Sequence, residues 1–170
     1  AAAAAKERIA LDPTSVDLKM LAAVDLLAAG DPAGAVQQLT RALAIRDSLD
    51  TRLLQAAAQL KEQGKLAADR LDWSGFLQNL DNLKARNADQ PIPDAWRLVL
   101  LEAGYEAALA AATTAADPGK AVEMLRSAEL EYPETIPFLR QLAAQYQQLA
   151  AEADAERALV KLNLVTALAA

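Results

Sequence analysis

Asp31-Pro32-Ala33-Gly34-Ala35-Val36-Gln37-Gln38-Leu39-Thr40-Arg41-Ala42 recurs 86 residues later as Asp117-Pro118-Gly119-Lys120-Ala121-Val122-Glu123-Met124-Leu125-Arg126-Ser127-Ala128. Asp, Pro, the Ala-Val pair, Leu and the later Ala stay in register. Each copy opens as a helix opens, with Asp as N-cap and Pro at the first helical position, where its missing N–H costs nothing. Ala35, Leu39 and Ala42, and again Ala121, Leu125 and Ala128, form a narrow stripe at helical spacing. Small residues in that stripe let a second helix lie close. Self-similarity of this kind points to a stacked helical array, and to a binding scaffold rather than an enzyme.

The composition agrees. A chain of 170 residues that is 54% hydrophobic but only 4% aromatic packs mainly through Ala and Leu, both strong helix formers. Val, Ile and Thr are too scattered to suggest strands. Cys and His are absent, so no disulfide, thiolate nucleophile, imidazole base or Cys/His zinc site can be built. No catalytic residue, metal or cofactor is expected, and the compartment, cytoplasmic or periplasmic, stays open. The longest uncharged run in the middle of the chain, Ala107 to Ala116, is too short and too weakly hydrophobic to cross a bilayer, so the chain reads as soluble. The net charge of −6 is uneven: residues 1–85 carry 10 basic and 11 acidic groups, residues 86–170 carry 7 and 12. An acidic surface repels phosphate backbones. A protein or peptide is therefore the expected partner and nucleic acid is not.

Taken in order, five alanines lead into a helix that stops at Leu11-Asp12-Pro13, read as the second helix of an incomplete upstream repeat (residues 1–13). Thr14 to Asp17 has the form of a capping box ahead of a helix over about Val16–Ala29, apolar almost all round and therefore expected to have several neighbours. Gly30 ends it and leads directly into the Asp31-Pro32 helix, about Pro32–Arg46. So short a turn makes the pair antiparallel. The next helix is expected over Thr51–Arg70, with Gly64 either tolerated or marking the true turn. Asp72 then caps a helix reaching about Asn87. Gln90-Pro91-Ile92-Pro93 bars helix, and a long helix follows from Pro93 or Asp94 to Thr114, its inner side carrying Trp96, Val99, Leu100, Ala103, Ala107 and Ala110. After the Asp117-Pro118 helix, ending at Tyr132-Pro133, come helices over about Ile136–Ala151 and Asp154–Leu168. The inner side of the last is expected to carry Ala158, Leu159, Leu162 and Val165.

The pattern resembles the tetratricopeptide repeat (TPR) family. In the first repeat the resemblance rests on Ala23, Gly30, Ala35 and Ala42, with Asp47 where a helix-ending Pro is usual. In the third it rests on Trp96, Ala121, Leu125, Ala128 and Pro133, and Pro13 falls at the stop of the upstream repeat. It covers nearly the whole chain, as repeats of about 14–47, 48–91, 92–134 and 135–170. The second and third exceed the usual length, and Phe76 stands where a small residue is usual. Sel1-like and HEAT-type arrays are the related alternatives.

The resemblance implies an all-α fold of antiparallel helix pairs stacked as a right-handed α-solenoid. Its first helices would line a concave groove holding a peptide or partner helix, as a scaffold or adaptor within a larger assembly. By that analogy the exposed inner side carries Thr51, Gln55, Arg97, Arg140, Gln141 and Gln148. Met20 and Val24 occupy the places of the Lys and Asn that clamp a carboxyl terminus in some members, so that clamp is not expected. Arg97 and Arg140 suit an acidic group, because the guanidinium fork matches a carboxylate. The alternative is a self-assembling structural protein whose repeat ends stack into oligomers.

Two further constellations are weighed by their chemistry. Glu102 and Glu106 share a helix face, but without His or an Asp-rich loop they read as a wet surface. Trp73, Trp96, Tyr132 and Phe138 lie near helix starts, where packing between helices explains them.

Overall fold

The computed structural model describes residues 1–66, 70–86, 89–132 and 134–169. Among them are nine helices and no strand: α1 Ala2–Leu11, α2 Val16–Ala28, α3 Pro32–Ile45, α4 Leu49–Gln63, α5 Ser74–Arg86, α6 Asp94–Thr114, α7 Pro118–Glu131, α8 Ile136–Gln148 and α9 Glu152–Leu168. The fold is all-α. Contacts divide the chain into two compact units, residues 1–100 and 101–170. The division falls inside α6 and not at a border between the expected repeats.

Both Asp-Pro starts are capped helix N-termini. Asp31 accepts from the Gly34 N–H at 2.9 Å, and Asp117 from the Gly119 N–H at 2.8 Å. The cap of α2 is a correction. Asp12 takes both the N–H and the hydroxyl of Thr14, at 2.8 and 2.7 Å, so Thr14 is occupied and Ser15 caps instead, accepting from Leu18 N–H at 3.2 Å. The second correction is the start of α4, two residues earlier than expected because Ser48 caps it; of the two readings of Gly64 the structure takes the turn, since the helix closes there and does not run on to Arg70. The expected helix end at Asn87 and the stop at Pro133 lie outside the described residues.

In the N-terminal unit each helix packs on the next, from α1 through α5, and α2 also touches α4 across α3. Ala23, Ala35, Leu39 and Ala58 form a core cluster there, with Met20, Leu26, Leu27, Val36 and Leu54 packed around it. The small side chains of the repeated stripe are what permit this approach: Ala35, Leu39 and Ala42 are wholly buried. In the C-terminal unit α7 packs on α8 and α8 on α9. Its core is larger, joining Leu109 and Ala112 of α6 to Leu125, Ala128, Phe138, Leu139, Leu142 and Tyr146. Tyr105, Tyr132 and Phe138 pack ring against ring there, with centroids 5.4–6.5 Å apart. Val99 and Leu159, expected inside, are instead substantially exposed.

α2 and α8 are built alike, 120 residues apart. Both span 13 residues, and both are capped by a hydroxyl, Ser15 or Thr135, that accepts from the N–H three residues on. Both close with a left-handed residue, Gly30 at φ 77° and Ala150 at φ 53°. The next N–H then bonds back to the last turn, Asp31 to Leu26 O at 2.8 Å and Ala151 to Tyr146 O at 2.9 Å. This is the Schellman closure, which delivers the chain into an antiparallel partner. The likeness is invisible in the residue letters, because Ala stands where Gly is usual.

Candidate partner-binding surfaces

Of the six residues expected on an exposed groove wall, two are buried. Thr51 is 0% exposed and Gln55 7%. The Thr51 hydroxyl shares a hydrogen bond with Ser48 Oγ at 2.7 Å and meets Met20 Sδ of α2 at 3.3 Å, while Gln55 Nε2 donates to Thr40 Oγ1 of α3 at 3.0 Å. The reason is helical phase. Thr51, Gln55, Gln59 and Gln63 recur every four residues and make one stripe, and that stripe faces neighbouring helices; all four are buried. Gln59 Oε1 accepts from Asn79 Nδ2 of α5 at 3.3 Å, and Gln63 Oε1 from the Asp72 N–H at 2.9 Å. The more open side of α4 carries Asp50, Leu54, Ala57 and Lys61. A polar residue type on an early turn signals exposure only when its helical partners are exposed too.

The other four are exposed. Arg97 lies in the N-terminal unit and pairs loosely with Asp94, one turn away at 3.5 Å. Arg140, Gln141 and Gln148 lie on α8 in the C-terminal unit. On α2, Met20 is half-buried and Val24 is exposed, as is Leu21 one turn before it, so α2 presents an apolar outer strip. Trp73 stacks edge-on against the buried Phe76 at 5.8 Å. Glu102 and Glu106 stand in solvent on either side of Tyr105, whose hydroxyl is pushed up by burial and then by these two charges. Among the described residues no group of His, Cys, Asp or Glu is arranged to hold a metal ion, and no helix is long and apolar enough to cross a membrane.

Two charged clusters escaped the sequence reading. In the N-terminal unit Asp47 receives Arg52 through two bonds, at 2.7 and 2.6 Å, and Arg86 at 2.6 Å. The Arg52 bond holds its carboxyl below the usual range. In the C-terminal unit the nearly buried Glu129 of α7 accepts from Arg157 of α9 at 3.1 and 2.7 Å, from Tyr146 of α8 at 3.2 Å and from Lys161 at 3.1 Å. Asp154, also nearly buried, takes Arg126 at 3.1 and 2.7 Å and Arg157 at 2.8 Å. Lys161 reaches on to Glu134 at 2.7 Å. Three carboxylates and three cations therefore neutralise one another across α7, α8 and α9. Arg157 holds the Glu129 carboxyl low, and Arg126 does the same for Asp154, while burial and then Glu129 push the Tyr146 hydroxyl up. The available signal was spacing: Arg126 and Glu129 on α7, and Asp154, Arg157 and Lys161 on α9, each fall on one helix face.

An open cleft of about 430 Å³ lies at the α8–α9 corner, lined by Gln147, Ala150, Glu152, Ala155, Glu156 and Leu159. No family model, no curated protein and no solved structure matches this chain.

Proposed function

We propose that the chain is a protein–protein interaction scaffold of the TPR-like kind, in which stacked antiparallel helix pairs hold a peptide or a partner helix on the faces of their first helices. The observation that carries this reading is the contact of α2 with α4 across α3, made where Thr51 meets Met20. Side-by-side first helices with the second helices behind them are how a helical repeat builds a wall. Helix starts support it: α4 begins 33 residues after α2, and α9 begins 34 after α7, against about 34 in a TPR array. The small residues of the resemblance, Ala23, Ala35, Ala42, Ala121 and Ala128, are all buried, as close helix pairing requires.

On this reading the wall in the N-terminal unit is the outer strip of α2, where Leu21 and Val24 are exposed. Exposed Arg97 in the N-terminal unit and, separately, Arg140 with Gln141 and Gln148 on α8 in the C-terminal unit each offer polar contacts to an acidic group. Thr51 and Gln55 take no part, because neighbouring helices already use them.

The test compares proteins captured from cell extract by the wild-type chain, by Leu21→Asp/Val24→Asp and by Arg97→Ala/Arg140→Ala. A partner lost from the α2 variant supports the reading. The same partners at the same yield on all three chains would overturn it.

A further inference from the structure

α9 carries an unused surface that is independent of the first-helix wall. Its inner side holds Asp154, Ala155 and Ala158, all buried. Its outer side begins with Glu152 and Glu156 and continues through Leu159, Val160 and Leu164, with the last three 37%, 54% and 60% exposed. These positions share a face by helical phase. At its acidic end the face opens into the cleft, which Ala150, Ala155 and Gln147 of α8 also line. The face thus grades from acidic to apolar over about 18 Å, at about 1.5 Å per residue.

The charge of the unit that carries this face, and of Glu152 and Glu156 on the face itself, selects the occupant. Residues 101–170 carry ten acidic and five basic side chains, a net charge of −5, which leaves −1 for residues 1–100. The ion-pair network consumes Glu129, Glu134 and Asp154 with Arg126, Arg157 and Lys161. Seven acidic and only two basic side chains lie outside it. Among the described residues neither Glu152 nor Glu156 pairs with a Lys or Arg, whereas their neighbour Asp154 is fully neutralised. A second copy of the chain would bring the same negative field against this face, and like charges oppose that approach.

We infer that the outer face of α9 with its cleft docks a cationic amphipathic helix. The partner's aliphatic side chains lie on Leu159, Val160 and Leu164, and a Lys or Arg enters the cleft between Glu152 and Glu156. The aliphatic stem of such a side chain suits the Ala150 and Ala155 lining while its head meets the carboxylates.

The test is fluorescence anisotropy of a labelled amphipathic Leu/Lys peptide, and of its Leu/Glu counterpart, titrated with the full chain. The Leu/Lys peptide is expected to bind and the Leu/Glu peptide not. Glu152→Gln/Glu156→Gln should weaken binding about tenfold, the sum of two modest ion pairs, and Val160→Ser/Leu164→Ser by at least as much. Glu102→Gln/Glu106→Gln, which removes two exposed carboxylates elsewhere in the same unit, should leave it unchanged. Equal weakening by that last pair would mean diffuse attraction to an acidic surface and would sink the proposal. So would equal binding of the Leu/Glu peptide, or a dimer of the chain that Val160→Ser/Leu164→Ser dissolves, which would make the occupant a second copy.

Discussion

Gly34 sits three residues inside α3, where Ala would ordinarily strengthen a helix by about 0.5–1 kcal/mol. A Cβ there would collide with the Asp31 carboxylate, so the side chain that caps the helix must swing away. Gly34→Ala is therefore expected to bring no net gain, since the lost cap is worth about 1 kcal/mol. In an Asp31→Ala background the same substitution should stabilise, because nothing is left to displace. A double-mutant cycle by urea unfolding reads this directly, and additivity of the two changes would refute it. Ala150 is the converse case. It is held at φ 53° where its counterpart is Gly30, a conformation costing a residue with a Cβ about 1–2 kcal/mol. Ala150→Gly should raise the stability of the C-terminal unit by about 1 kcal/mol, and a lowered Tm would count against the shared turn geometry.

At the scale of elements, the seam joining α7, α8 and α9 pairs an apolar core with an ion-pair network whose carboxylates Glu129 and Asp154 are buried and whose cations are part-exposed. Arg157 is part-exposed, and without it Glu129 keeps Lys161 and Tyr146 and Asp154 keeps Arg126, so Arg157→Met is expected to cost about 1 kcal/mol, below the cost of stripping a buried carboxylate of its only partner. The carboxyls of Glu129 and Asp154 are held below their ordinary values, so the unfolded chain binds these protons more tightly than the folded one. Their contribution is complete above about pH 5 and is lost as pH falls through the depressed folded values, below about pH 4. Circular-dichroism melts of wild type and Glu129→Gln should converge in Tm on acidification from about pH 6 to about pH 3. Melting curves whose separation does not change over that interval would show that the network is not linked to folding.

For the whole molecule, the proposed scaffold and its self-assembling rival differ in what happens on dilution. Sedimentation should give a mass independent of concentration if the exposed apolar strips of α2 and α9 await a foreign partner. Growth of the mass with concentration, abolished by Leu21→Asp/Val24→Asp, would favour stacking of copies. The strips are legible only in three dimensions: α2 is apolar all round in sequence, but α1, α3 and α4 cover three of its sides and leave Leu21 and Val24 in solvent.

The letters alone determined that this chain is helical, where most of its helices begin, and which small residues lie between them. Those properties are local: an Asp-Pro pair or a Ser cap acts on the N–H groups next to it, and a four-residue stripe needs only the pitch of its own helix. Tertiary structure decided which stripe turns inward. The polar stripe of α4 was expected on a wall and is buried, because the amides of Gln55 and Gln59 and the hydroxyl of Thr51 find partners on neighbouring helices. The charges of α7 and α9 close on one another for the same reason. Burial of a polar group depends on what another element brings to meet it, and no stretch of chain carries that information by itself.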